Sequence, residues 1–214
     1  GEQRAKELGA ELIVLDANGD TTRQNQDIQT LITRGVDVVI VNANDPIGLT
    51  PSIKALGRAD IPVVAVNSNL AEQLVPDIFC YVAEDQLATG ALAGKVIGEK
   101  VIEKFGDGAK IKLGSVGGFP GDVISDLRYD GFMSGYPAAI EGHNIETEAL
   151  PMKFGEWKPD KALAPIRDMA TANSDMNVLY SMSDVMLGGV NQGLKQAGIY
   201  DQVLMGSYDG GMNA

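Results

Sequence analysis

Short runs of β-branched residues alternate along the chain with stretches whose apolar residues recur at helical spacing. Residues 36–41 are rich in valine and isoleucine, which is typical of a strand buried on both faces of a sheet. The segment before them, residues 22–33, places Ile28, Leu31 and Ile32 on one helical stripe and is followed by Gly35, a residue type that often ends helices. This alternation predicts an α/β fold, doubly wound around parallel sheets.

The same periodicity indicates elements along the whole chain. It predicts strands at residues 11–15, 36–41, 62–66, 78–82, 110–116, 145–150, 178–181 and 202–207. It predicts helices at residues 2–8, 22–33, 47–56, 85–104, from 123 onward, 158–172 and 184–197.

The alternation runs in two rounds, which predicts two lobes of this kind. We assign residues 1–84 to an incomplete N-terminal lobe, residues 85–210 to a C-terminal lobe, and residues 211–214 to the start of a return to the first lobe. Because the chain begins in a helix that no strand precedes and stops just after a strand, we expect it to be part of a longer protein. The first strand and the C-terminal part would then be missing.

The charge and the cysteine content narrow the function classes. A formal net charge of −12 argues against non-specific binding to nucleic acid or to an anionic membrane, since both are themselves negatively charged. Cys80 is the only cysteine in the sequence, so neither an internal disulfide nor a cysteine-cluster metal site can form. We interpret Cys80 as a small buried apolar residue rather than as a nucleophile.

Polar residues follow almost every predicted strand. In parallel sheets a ligand binds beyond the C-terminal ends of the strands, and here those loops are residues 16–20, 42–45, 67–69, 117–122, 182–184 and 208–209. Asp, Asn and Ser are also ordinary helix caps and turn residues, and for any single loop this is the favoured interpretation. Together, however, the loops offer amides and carboxylates and few cations, which suits a neutral ligand rich in hydroxyl groups.

The stretch VVIVNANDPIGL contains both kinds of polar residue. Asn42 comes at the end of the predicted strand and is the candidate for a hydrogen bond to a ligand. Asn44 and Asp45 are interpreted as caps of the following helix, with Asn44 also placed to support the ligand contact.

Two further motifs have structural rather than functional interpretations. Residues 16–20 imitate the start of a calcium-binding loop, but we interpret them as a surface turn that ends in a helix cap. Gly90, Gly94 and Gly98 lie on one face of a predicted helix, where we expect them to allow close packing of the helix on a sheet; a lobe or subunit contact is the alternative.

Longer segments of the sequence resemble a known family. The run DANGDTTRQNQDIQTLITRGVDVVIVNANDPIGLTPSIKALGRADIPVVAVNS resembles the first lobe of periplasmic sugar-binding proteins of the ribose-binding type, the receptors of ABC importers. FPGDVISDLRYDGF resembles the family's arginine-bearing helix start, and SMSDVMLGGVNQGLKQAG and VLMGSYDG resemble its last second-lobe helix and strand. The resemblance covers essentially the whole chain and implies the type I periplasmic-binding-protein fold, in which two lobes close about a hinge on a ligand held between them.

The resemblance also implies which side chains bind the ligand: Asn42, Asn67, Ser68, Arg128, Trp157, Ser183, Tyr208 and Asp209. Asn67 and Ser68 stand where the family has an Asp-Arg pair that grips sugar hydroxyls, and Ser183 stands where it has an asparagine. These departures point away from ribose itself and toward a polyol, a deoxysugar or a small furanose-like ligand.

The implied function is that of a solute receptor with no enzymatic activity, no cofactor and no bound metal. It would capture a sugar or polyol, act as a monomer, dock on a membrane ABC permease, and have no nucleic-acid partner. Its location would be periplasmic or extracellular, with or without a lipid anchor. The alternative is the ligand-sensing domain of a sugar-responsive transcriptional repressor of the same fold, which would need a DNA-binding segment before Gly1. An enzyme is disfavoured because the candidate residues offer no nucleophile-base pair and no nucleotide fingerprint.

Overall fold

The computed structural model describes residues 1–45, 47–68, 70 and 77–210. The chain divides into two compact units, Gly1–Glu84 and Asp85–Ala214. The lobe assignment stays a prediction, and the predicted return segment at 211–214 lies outside the described residues, as does Asn69 of the loop at 67–69. Within the described parts of the chain, no helix is both long enough and apolar enough to cross a bilayer.

The first unit contains a parallel three-stranded sheet. Its strands β1 (Val39–Val41), β2 (Val63–Val66) and β3 (Cys80–Val82) lie side by side in chain order. Helix α1 spans Glu2–Glu7, α2 spans Thr21–Arg34 and α3 spans Thr50–Arg58. The Asp20 carboxylate accepts a hydrogen bond from the backbone N–H of Arg23 and caps α2, which ends at Gly35 in the left-handed conformation. These two signals fix the helix that precedes β1.

The sheet of the first unit is covered on one face only by the described residues. Val39 and Val41 are buried and pack with α2 and α3, whereas Ile40, which points to the opposite face, is 62% exposed. The prediction that this strand is buried on both faces is therefore wrong for this part of the chain. Cys80 is half-buried rather than buried, since it lies at the start of the outer strand β3.

The strand predicted at residues 11–15 is also wrong. These residues belong to no strand, and Leu12 and Val14 are exposed. A strand needs a neighbour to pair with its backbone N–H and C=O groups, and the described residues give this segment no such ladder. Apolar composition alone thus proved insufficient here.

The second unit is a parallel five-stranded sheet with helices on both faces. The strands β4 (Lys110–Gly117), β5 (Glu146–Ala149), β7 (Val178–Ser181) and β8 (Leu204–Ser207) follow the order β5-β4-β7-β8, and the short β6 (Lys153–Phe154) also pairs with β4. Its helices are α4 (Gln86–Phe105), α5 (Val123–Ala139), α6 (Pro159–Ala172) and α7 (Leu187–Ala197). Short 3-10 helices span Asp184–Met186 and Tyr200–Gln202.

The core of the second unit has two layers, one on each face of the sheet. Leu113 and Tyr180 face α4 and α5. Val116 and Leu179 face α6 and α7. Adjacent strand residues thus point to opposite helical layers, as a doubly wound sheet requires, and the predicted fold class is confirmed.

The glycines of α4 pack against another helix. A Cβ placed on Gly90 would lie 2.6 Å from the carbonyl oxygen of Arg128, and one on Gly94 would lie 2.3 Å from that of Phe132. Both neighbours are backbone atoms of α5, so the expected packing of this face on a sheet is wrong. The absence of side chains lets α4 and α5 meet backbone to backbone, and this contact brings the start of α4 beside Arg128.

Candidate functional site

The candidate site of the second unit gathers at the C-terminal ends of its parallel strands. Ser183 follows β7, and Tyr208 and Asp209 follow β8. Arg128 comes from the second turn of α5, and Trp157 from the loop between β6 and α6. Parallel strands end at one edge of a sheet, so residues far apart in the chain meet here.

Arg128 is buried and bound on several sides. Its side chain is 5% exposed. Its Nε donates to Gln86 Oε1 at 2.7 Å, and its Nη1 donates to the Met182 carbonyl at 2.5 Å. Its Nη2 lies 3.3 Å from Asp209 Oδ1, and its Nη1 lies 3.5 Å from Asp209 Oδ2. The guanidinium is therefore paired with a carboxylate and held in one orientation.

Two aromatic rings lie close to this guanidinium. The ring centroid of Tyr208 is 3.8 Å from Arg128 Cζ, and that of Trp157 is 5.7 Å from it. Contacts at these distances are cation-π interactions. The site thus combines an ion pair with apolar ring surface, which suits a ligand that has both hydroxyl groups and C–H faces.

Asp209 is the more exposed partner of the ion pair. Its side chain is 35% exposed, and its backbone has a φ of 85°. The Ser183 hydroxyl donates to its Oδ2 at 2.6 Å. Ser183 itself is only 4% exposed, so the structure places its hydroxyl against Asp209, while its predicted contact with a ligand stays a prediction.

The tryptophan is seated on the glycine-rich loop that follows β4. A Cβ on Gly118 would lie 2.0 Å from Trp157 Cε2, so only glycine leaves room for the indole. The loop is held by the Ser125 hydroxyl, which accepts from the Gly118 N–H at 2.8 Å and itself donates to Asp122 at 3.0 Å. The glycines therefore serve a packing role at this position.

Tyr180 is fully buried, in the same core cluster as Phe132 and Tyr208. Its ring stacks on Phe132 with centroids 4.2 Å apart. Burial raises the pKa of the Tyr180 phenol, and the nearby positive charge of Arg128 only partly opposes that rise. The phenol is thus held in its neutral form close behind the ion pair.

The remaining predicted ligand residues lie in the first unit, at the ends of β1 and β2. Asn42 is exposed and follows β1; Asn67 is exposed and Ser68 half-buried, and both follow β2. Asn67 has a φ of 57°. Its N–H donates to the Val82 carbonyl at 3.1 Å, and its carbonyl accepts from the Tyr81 hydroxyl at 2.7 Å. Its backbone is thus fixed on both sides.

A glutamine from α2 fixes the loop after β1. Gln24 Nε2 donates to the Asn42 carbonyl at 2.7 Å, and Gln24 Oε1 accepts from the Asn44 N–H at 2.9 Å. Asp45 accepts from the Ile47 N–H at 2.9 Å and forms a turn. Since α3 begins only at Thr50, the prediction that Asn44 and Asp45 cap this helix is wrong.

Sequence reasoning did not identify Gln24 or Gln86 as residues of the candidate site. Each lies in the first turns of a helix whose cap is an aspartate, Asp20 and Asp85 respectively. A glutamine near a helix start is common, because it is a good helix former. Only the fold shows that each side chain reaches a predicted ligand residue or its loop.

Residues 16–20 form a turn that ends in a helix cap, as predicted. Asp16 accepts from the Asn18 N–H at 2.7 Å, and Asp20 caps α2. Within the ranges that the structure describes, no three His, Cys, Asp or Glu side chains are arranged to hold a metal ion.

The fold and the candidate site together define an α/β protein whose polar side chains lie at the C-terminal ends of its strands. Small ligands usually bind at these strand ends in such proteins. The family described as periplasmic binding protein domain matches residues 1–214. The chain therefore belongs to the periplasmic binding protein family, and the resemblance found in the sequence is confirmed.

Individual relatives support the same family. The ribose import binding protein of Salmonella typhimurium is 25% identical over 209 residues, which cover 98% of this chain and 65% of the relative. An ABC transporter solute-binding protein from Mycobacterium smegmatis with bound glycerol is 32% identical, with a TM-score of 0.77 over 94% of this chain and 65% of that one. One from Actinobacillus succinogenes with bound D-allose is 25% identical, with a TM-score of 0.81 over 98% and 71%. The chain thus spans about 65% of the length of the curated relative.

Proposed function

We propose that this protein is the solute receptor of an ABC importer and that it captures a neutral sugar or polyol. The observation that carries the proposal is the pairing of Arg128 with Asp209, together with two aromatic rings close to the guanidinium. The ion pair balances its own charge, so an anionic ligand would have to displace the Asp209 carboxylate. A hydroxyl group can instead donate to Asp209 without disturbing the pair.

The first unit supplies the other part of the proposed site. Asn42, Asn67 and Ser68 offer amides and a hydroxyl at the ends of two neighbouring strands. Groups of this kind both donate to and accept from a sugar hydroxyl. We propose that ligand residues of both units close on one ligand about a hinge. The glycerol and D-allose bound by the relatives support a ligand of the same chemical class.

The partner and location follow from the same proposal. A receptor of this family would act in the periplasm or outside the cell, as a monomer, and would deliver its ligand to a membrane permease. The relatives reported above are binding proteins of transport systems rather than repressors or enzymes. We therefore do not favour the ligand-sensing domain of a repressor.

A thermal-shift panel tests the proposed class of ligand. The panel contains D-ribose, D-allose, D-xylose, 2-deoxy-D-ribose, xylitol and glycerol, with D-ribose 5-phosphate as the anionic comparison. A ligand present at about 100 times its Kd adds about 2.7 kcal/mol of stability. For a chain of this length that corresponds to a rise in Tm of about 5–10 °C. If no neutral member raises Tm, or only the phosphate does, the proposal is wrong.

A matched pair of aspartate variants tests the site. Asp209→Asn removes the charge that balances Arg128, so we expect the Kd of any stabilising sugar to rise by about tenfold or more. Asp201→Asn changes an exposed aspartate of the short helix Tyr200–Gln202 and should leave Kd unchanged. Isothermal titration calorimetry measures both; equal affinities for the two variants would contradict the assignment of Asp209.

A further inference from the structure

Gln86 is the first residue of α4 and is 4% exposed. The helix start before it is anchored, because the Asp85 carboxylate accepts from the Ala88 N–H at 2.9 Å. From this position Gln86 Oε1 accepts from Arg128 Nε at 2.7 Å. Arginine has no acceptor, so the amide must turn its oxygen toward the guanidinium.

The glycines of the helix pair bring Gln86 within reach of Arg128. A Cβ on Gly90 would lie 2.6 Å from the Arg128 carbonyl, and a Cβ on Gly131 would lie 2.2 Å from the Leu87 carbonyl. The backbones of α4 and α5 are therefore in contact within about one helical turn of both side chains. Since neither backbone can shift far without a clash, the distance between Gln86 and Arg128 is set by the packing.

The contact fixes the guanidinium at the end that Asp209 does not reach. Asp209 and the Met182 carbonyl bind the terminal nitrogens Nη1 and Nη2, and Gln86 binds Nε. A planar guanidinium held at both ends can rotate neither about its Cδ–Nε bond nor within its plane.

We propose that Gln86 is a positioning residue that fixes Arg128 in its ligand-binding orientation. The inference rests on the proposed function only in taking Arg128 as a ligand-binding residue. A neutral amide suits the position, because its oxygen accepts from Arg128 Nε without adding a further negative charge. Its Nε2 has no hydrogen-bond partner among the described residues, so the contact with Arg128 is the polar interaction that the buried side chain makes there.

Gln86→Met tests this role, since methionine has similar length and flexibility but no comparable acceptor. Gln86→Glu keeps an acceptor at the same position. Gln192→Met makes the same exchange at an exposed site of α7 and serves as the control. Far-UV circular dichroism checks that each variant is folded; if Gln86→Met does not fold, comparison of Gln86→Glu with wild type still reports on the contact.

The first measurement is hydrogen exchange at the Arg128 Nε–H, followed by NMR with ¹⁵N-arginine and assigned by its loss in Arg128→Lys. We expect exchange to accelerate by about tenfold or more in Gln86→Met, and to stay slow in Gln86→Glu and Gln192→Met. Unchanged exchange in Gln86→Met, or fast exchange in a folded Gln86→Glu, would overturn the inference. This measurement needs no ligand.

The second measurement is the affinity for D-allose and xylitol. We expect Gln86→Met to raise Kd by about tenfold in the wild-type background and by less than about twofold in the Arg128→Lys background, because the effect passes through Arg128. An equal loss in both backgrounds would overturn the positioning role. If wild type binds neither compound, the proposed function loses support for these ligands, while the exchange result still decides the role of Gln86.

Discussion

Gly94 lies where α4 and α5 touch backbone to backbone, and its replacement by alanine should destabilise the second unit. A Cβ at this position would lie 2.3 Å from the Phe132 carbonyl oxygen and 2.7 Å from the Tyr136 backbone nitrogen. Normal contact distances are about 3.5 Å, so the helices would have to separate by about 1 Å. The clashing atoms belong to the backbone of α5, and no side-chain rotation relieves them.

Two opposing effects set the size of the change. Alanine stabilises a helix interior by about 1 kcal/mol relative to glycine. Overpacking costs about 1–3 kcal/mol, and two rigid backbone contacts place this site at the upper end of that range. We therefore expect Gly94→Ala to lower the free energy of unfolding by about 2 kcal/mol.

Urea denaturation followed by circular dichroism measures the difference. Gly188→Ala is the matched control in α7, because the nearest atom to its added Cβ would be the Pro159 Cβ at 3.7 Å, an ordinary contact. That variant should be as stable as wild type or slightly more stable. If Gly94→Ala also matched or exceeded wild type, helix propensity would outweigh packing and our account of the α4–α5 contact would be refuted.

Three shorter predictions concern the candidate site and its surroundings. Asn42→Ala should raise the Kd of a bound sugar by about tenfold, measured by calorimetry, whereas Asp45→Ala should change it by less than about threefold; equal losses would contradict the separation of ligand residue from turn residue. Gly118→Ala should shift the fluorescence of Trp157, the single tryptophan of the chain, because the added Cβ would lie 2.0 Å from its ring; unchanged emission would disprove that packing. Burial raises the pKa of Tyr180 above its usual value of 10.0, so above that pH the unfolded chain loses the proton first and stability falls. In the Tyr180→Phe variant, the urea midpoint should fall less steeply with rising pH than in wild type. An equally steep fall in both proteins would contradict this prediction.

Local signals predicted most elements of the second unit correctly. The aspartate and the long apolar pattern after it predicted where α4 begins, and Asp85 does cap this helix. The apolar run at 178–181 coincides with β7. Both signals lie within a few consecutive residues, and short-range pattern is sufficient in such cases.

Features that depend on a partner element were predicted less well. Residues 11–15 have the composition of a strand but no ladder among the described residues. The glycine face of α4 was recognised, yet its partner proved to be α5 rather than a sheet. The glycine spacing predicts that a close contact will form. Which element makes that contact depends on the tertiary fold.

The candidate site shows the same division. Arg128 and Asp209 were each identified as ligand candidates at the level of sequence. Their pairing across 81 positions of the chain was not predicted. Ser183 was expected to face a ligand, and the structure places its hydroxyl on Asp209. Gln86 carries no local signal at all, since its role depends on how closely two helices approach.

The charge balance of the candidate site bears on the class of ligand that the site can bind. In the second unit the buried charge of Arg128 is matched by Asp209. In the first unit the candidate residues Asn67 and Ser68 carry no charge. A phosphorylated or acidic sugar would therefore bring a negative charge close to the Asp209 carboxylate, which is partly exposed and already paired with Arg128, and like charges repel each other. We propose on this ground that a neutral sugar or polyol is bound in preference to its phosphorylated or acidic counterpart, and the comparison of D-ribose with D-ribose 5-phosphate in the thermal-shift panel tests this preference.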